Sequence, residues 1–81
     1  MKADETLDCV GLYCPMPIVH TARKIKELKS GQVLEVLSDD EGIKEDMPSW
    51  CKTTGNECLD IQEEKGIYRV FVKKKGEKNT K

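Results

Sequence analysis

From Gln32 to Leu37 the chain carries a nearly continuous apolar run, Val33, Leu34, Val36 and Leu37, broken only by Glu35. A run this short, bounded by Ser30-Gly31 on one side and Ser38-Asp39-Asp40 on the other, reads as a buried-type strand rather than a helix. Such a strand sits centrally in a sheet, so the rest of the chain must supply neighbouring strands and an apolar cover. That requirement limits an 81-residue chain, whose core is thin, to a few architectures.

The remaining segments divide accordingly. Thr6-Leu7-Asp8-Cys9-Val10 alternates polar and apolar before Gly11, which predicts a short strand ending at a turn with Leu7 and Cys9 on one face. From Pro15 onward Ile18, Ala22, Ile25 and Leu28 recur at helical spacing, and Ser30-Gly31 closes a helix of three to four turns. Ile43, Met47, Trp50, Cys51 and Thr54 form a second helical stripe stopped by Gly55. Pro48 lacks the backbone donor a helix interior needs, so this helix is expected to start near Asp46-Met47, or to kink at the proline. Glu57 to Glu64 and Ile67 to Lys74 are strand-like and joined by Lys65-Gly66, a tight hairpin. The order β-α-β-α-β-β predicts an α+β fold, a two-layer α/β sandwich with a four-stranded mixed sheet and two helices on one face. Residues 1–75 are expected to form one domain and 76–81 a flexible basic tail.

Composition narrows the function classes. The net charge is −1, but Lys73 to Lys81 holds five Lys against one Glu, which leaves −5 on residues 1–72. An acidic body with a single Trp and no interleaved aromatics argues against direct nucleic-acid binding, and the lysines read as a solvated terminus. The N-terminus lacks an apolar signal segment and no stretch is long enough for a membrane span, so a cytoplasmic protein is expected; it is also expected to be a monomer. In a reducing compartment the four cysteines, at 9, 14, 51 and 58, should be thiols.

Cys14 is the residue best placed for chemistry. It follows a predicted strand and precedes a predicted helix, where free backbone N–H groups and the helix dipole favour an anion and lower a thiol pKa. Pro15 in the first turn loses only an N–H that the helix could not pair, and Pro17 is tolerated for a similar reason; together with Gly11 they would hold the sulfur on a stiff rim.

The segment Gly11-Leu12-Tyr13-Cys14-Pro15-Met16-Pro17 resembles the Cys-Pro-X-Pro signature of the TusA family, also called SirA-like or YedF-like. The resemblance continues through Leu7-Asp8, Gly31-Gln32-Val33-Leu34-Glu35-Val36, Asp39-Asp40, Asp46-Met47-Pro48-Ser49-Trp50 and Gly55-Asn56-Glu57. It implies a sulfur carrier of sulfurtransferase type in which Cys14 accepts sulfane sulfur as a persulfide and relays it to a partner. The donor would be a cysteine desulfurase or a rhodanese-like protein. The acceptor would be a downstream protein serving, for example, tRNA thiolation or sulfur oxidation. No cofactor is implied, because thiolate attack on a donor persulfide needs access and a low pKa rather than a prosthetic group.

Other readings carry less. A non-catalytic regulatory or docking module of the same fold is the alternative function. His20 lies nearly two helical turns past Cys14, too far to pair with its sulfur. Cys51 is expected to pack beside Trp50, and Cys58 and Cys9 to be structural, although Cys9 could resolve a persulfide on Cys14 as a disulfide. The C-x4-C and C-x6-C spacings are poor for a structural zinc site, whose ligands usually pair across two to four residues on a tight knuckle, whereas Cys51 is predicted on a helix and Cys58 on a strand, so no metal is expected. Asp39 and Asp40, with Glu41, are expected to cap the second helix or to form an acidic recognition rim for basic partners.

Overall fold

The apolar run does form a central strand. In the structure, a computed structural model that describes residues 3–13 and 16–75, it becomes β2, Val33–Ser38. The other elements are β1 (Glu5–Asp8), α1 (Met16–Ile25), α2 (Ile43–Thr54), β3 (Glu57–Glu64) and β4 (Ile67–Lys73). The sheet order is β1-β2-β4-β3, with β1 parallel to β2 and the other two pairings antiparallel. This is the mixed four-stranded sheet the sequence predicts.

Strand periodicity decides what is covered. Leu34, Val36 and Ser38 of β2 pair with Val72, Val70 and Tyr68 of β4, and all six are buried. All but Ser38 join Cys9, Ile25, Leu28, Ile43, Met47 and Cys51 in one cluster, so both helices lie on the same face of the sheet. On the opposite face Thr6 donates to Glu35 and Arg69 pairs with Glu35 and Glu64, a polar lattice with Phe71 buried between the neighbouring strands.

Three features of the helices differ from expectation. The buried stripe of α1 is Pro17, Thr21 and Ile25 rather than one through Ile18 and Ala22; Thr21 is tolerated because its hydroxyl donates to the Pro17 carbonyl at 2.7 Å. Regular helix stops at Ile25, and tighter turns bring Leu28 into the core. The second helix begins at Ile43, not near Asp46, because backbone turns from Asp40, Glu41 and Gly42 start it a turn earlier; Pro48 sits inside, where its missing donor faces only the carbonyl of exposed Lys44. The strand expected over Ile67 to Lys74 is borne out as far as Lys73, so of the lysines read as a solvated terminus Lys73 and Lys74 belong to the fold. Lys73 ends β4, while the Lys74 backbone pairs with Gly31 and Gln32, and its ammonium donates to the Leu28 carbonyl at 2.7 Å. The tail expected at 76–81 lies outside the described residues.

The hairpin turn places both Lys65 and Gly66 at positive φ, 53° and 83°, as a two-residue turn between Glu64 and Ile67 requires.

Candidate functional site

Parallel pairing of β1 with β2 puts their C-terminal ends side by side, Asp8 opposite Leu37. The loops that leave them are therefore neighbours. Asp8 accepts the Val10 N–H at 3.0 Å, the Leu12 N–H returns to the Cys9 carbonyl at 3.1 Å, and Gly11 takes a φ of 91°. The Gly11 N–H then donates to the Asp39 carboxylate at 3.0 Å, tying the β1–α1 loop to the end of β2.

Cys14 and Pro15 lie outside the described residues. On either side of them in the chain the structure exposes three large apolar side chains: Val10 at 43%, Tyr13 at 79% and Met16 at 41%. The Met16 N–H donates to the Tyr13 carbonyl at 2.8 Å as α1 begins, and the first turn of α1 has no acidic side chain. Pro17 is buried, so it packs α1 against the protein as well as restricting its backbone.

The carboxylates after β2 behave differently from one another. Asp39 is exposed and holds Gly11. Asp40 is half-buried and accepts the Gly42 N–H at 3.0 Å. Neither caps α2 in the expected way: its N-cap is Gly42, with no side-chain cap hydrogen bond, and Glu45 and Asp46 supply the negative charge of the first turn. A shallow depression lined by Pro17, Ile18, Asp40, Ile43 and Asp46 joins the starts of the two helices. The tie between Gly11 and Asp39 was not foreseen in the sequence. The only signal was the parallel pairing, which brings together residues 28 positions apart.

Cys9 is fully buried, and burial followed by the charge of Asp8 pushes its thiol pKa up. Cys51 is also buried; desolvation, then the charge and hydrogen bond of Cys58, push it up to about 12. Cys58 is half-buried and packs against the core beside it, with its pKa raised by burial despite the hydrogen bond from Cys51. His20 is half-buried on α1. Among the described residues no three His, Cys, Asp or Glu side chains converge as a cation site requires, and no helix is long and apolar enough to cross a membrane.

Fold and site together define a small α/β sandwich with three large apolar side chains, Val10, Tyr13 and Met16, exposed in the chain that leaves the C-terminal end of β1, beside its parallel neighbour β2. Residues 5–74 match the family described as Sulfurtransferase TusA, and the chain belongs to that family. It is 48% identical over 77 residues to YrkF of Bacillus subtilis, covering 95% of this chain but spanning only 42% of YrkF's length. It is 39% identical over 74 residues to the sulfur carrier protein TusA of Pseudomonas entomophila, covering 91% of this chain and 92% of that one. The crystal structure of a SirA-like protein from Desulfitobacterium hafniense shares the fold, with a TM-score of 0.76 at 24% identity over 90% of this chain and 99% of that one.

Proposed function

We propose that the protein is a sulfur carrier: Cys14 accepts sulfane sulfur as a persulfide from a donor protein and passes it to an acceptor protein. The observation that carries this reading is the exposed set Val10, Tyr13 and Met16 bracketing Cys14 in a chain of this family. Large exposed apolar side chains around a cysteine suit a thiol that must be covered by a partner during transfer.

In the forward step the Cys14 thiolate attacks the outer sulfur of a donor persulfide. The S–S bond of the donor breaks, its thiolate leaves, and Cys14 holds the sulfane sulfur without net oxidation. Transfer onward repeats the exchange with the acceptor's nucleophile. Gly11, held by Asp39, and the prolines Pro15 and Pro17 keep the loop restricted, which reduces the ordering cost when a partner docks. Asp39 and Asp40, with the exposed Glu41 and Glu45, form the acidic side of that docking surface and favour partners with a basic rim. A cysteine desulfurase or a rhodanese-like protein fits as donor, with tRNA thiolation or sulfur oxidation as examples of the pathway served. Residues 1–75 would act as a single domain in the cytoplasm, with 76–81 as its basic tail.

Alkylation tests the reading directly. With iodoacetamide over a range of pH, the carrier should show one thiol, Cys14, reacting well below the ordinary cysteine pKa, while buried Cys9 and Cys51 stay unlabelled in the folded protein. Uniformly slow labelling of Cys14 with the others would favour a docking module of the same fold.

A further inference from the structure

The lysines at the end of β4 are held more firmly than a frayed terminus would be. Lys73 is the last residue of β4 and pairs with Val33, the first of β2. The Lys74 backbone bonds to Gly31 and Gln32, and its ammonium donates to the Leu28 carbonyl. On the other side the Lys75 N–H donates to the Asn56 side chain at 3.1 Å. Three cationic side chains therefore leave a backbone that is fixed on both flanks. Together with Ser30, Gly31 and Glu57 they line an open cleft of about 390 Å³, large enough for a small ligand.

The lining decides what fits. Three lysines stand against one carboxylate, and neither Lys73 nor Lys75 forms an ion pair among the described residues, although Glu57 is the register partner of Lys73. Ser30 adds an exposed hydroxyl. Gly31, with nothing within 4 Å of where a Cβ would stand, leaves the backbone open to close approach. Ammonium groups act as point charges and suit a multiply charged anion with several oxygens, such as a phosphate chain. Among the described residues no aromatic or large apolar side chain lines the cleft, so nothing there holds a base or an acyl group. The net charge of −5 on residues 1–72 repels a long polyanion laid across the body, but much less a short one confined to the cleft.

We propose that this cleft binds a short phosphate chain, as carried by inorganic tripolyphosphate or by the triphosphate group of a nucleotide, through Lys73, Lys75 and Ser30. The site is separate from the carrier loop. Lys73 pairs at Val33, whereas the β1–α1 loop leaves Asp8 opposite Leu37, about 13 Å further along β2. A ligand in the cleft leaves Val10, Tyr13 and Met16 uncovered for a partner, so the site does not depend on the carrier reading.

The test is a titration of the full isotope-labelled chain, followed by amide NMR at constant ionic strength without divalent cations. The titrants are sodium tripolyphosphate, ATP, sodium sulfate and a single-stranded RNA oligonucleotide. Tripolyphosphate should shift the Gly31, Glu57 and Lys73–Lys75 amides saturably and leave those of Gly11 and Tyr13 unmoved. Comparable affinity for ATP would show that the chain alone is read, and tighter binding of ATP would assign the nucleotide as its source. Lys73→Gln combined with Lys75→Gln should weaken tripolyphosphate binding about tenfold, and Glu57→Gln should tighten it about threefold. Lys52→Gln, at an exposed position on α2, should change nothing. Circular dichroism confirms that each variant is folded. Shifts that fail to saturate or that sulfate reproduces, tighter binding of RNA than of tripolyphosphate, or full affinity in the folded double variant would overturn the proposal.

Discussion

At the scale of single residues, the loop that carries Cys14 depends on two features of different legibility. Gly11 could be read from the sequence as a turn, and its φ of 91° makes it more than a convenience. Space around it is open, so Gly11→Ala should cost about 1–2 kcal/mol through backbone strain alone, measured by urea unfolding. Asp39 was legible only as acidic; that it holds the Gly11 N–H depends on a strand pairing no local pattern encodes. Asp39→Ala should lower stability by about 1 kcal/mol and slow sulfur acceptance, while Asp39→Asn, which keeps an acceptor oxygen, should retain most of both. Loss of transfer in both variants alike would assign Asp39 to partner contact through its charge instead. Thr21 is illegible for the opposite reason: a stripe traced through apolar residues alone passes over a threonine whose hydroxyl is satisfied within the helix.

At the scale of elements, the strands were read more closely than the helices, because a period of two on a half-covered sheet is short and rigid. The bounds of β3 match expectation, as does the hairpin that follows. Of the two expectations for α2, a start near Asp46-Met47 or a kink at Pro48, the late start is not what forms, because backbone bonds to the carbonyls of Asp40, Glu41 and Gly42 set the entry. The same helix ranks its own side chains. Met47 is fully buried and Trp50 only partly so, packed against the cluster's edge. Met47→Ala should therefore cost about 2–5 kcal/mol, and Trp50→Ala no more than about 3 kcal/mol, despite the larger side chain. Urea midpoints of the two variants check the order; a larger loss for Trp50→Ala would place the tryptophan deeper than the structure does.

At the scale of the whole molecule, the order of elements and the single-faced core were legible because the fold is little more than its periodicities, while the environment of the cysteines was not. Three thiols with raised pKa values make stability depend on pH. Below about pH 9 they are protonated in both folded and unfolded chains and contribute no pH dependence. Above it the unfolded chain releases protons that the folded protein retains, so stability falls as pH rises toward about 12 for Cys51. Each such thiol contributes a slope of up to about 1.4 kcal/mol per pH unit, and urea midpoints between neutral and alkaline pH should decline less in Cys51→Ala than in the wild type. The carrier role is also a property of the whole protein, since it needs a folded surface as well as a thiol. The direct test is intact-protein mass spectrometry after incubation with a cysteine desulfurase and cysteine, without reductant, comparing wild type with a folded Cys14→Ser variant. The account predicts a one-sulfur increment on the wild type that reductant removes and the variant lacks. No increment on folded wild type across several sulfane-sulfur donors, or an equal increment on Cys14→Ser, would contradict it.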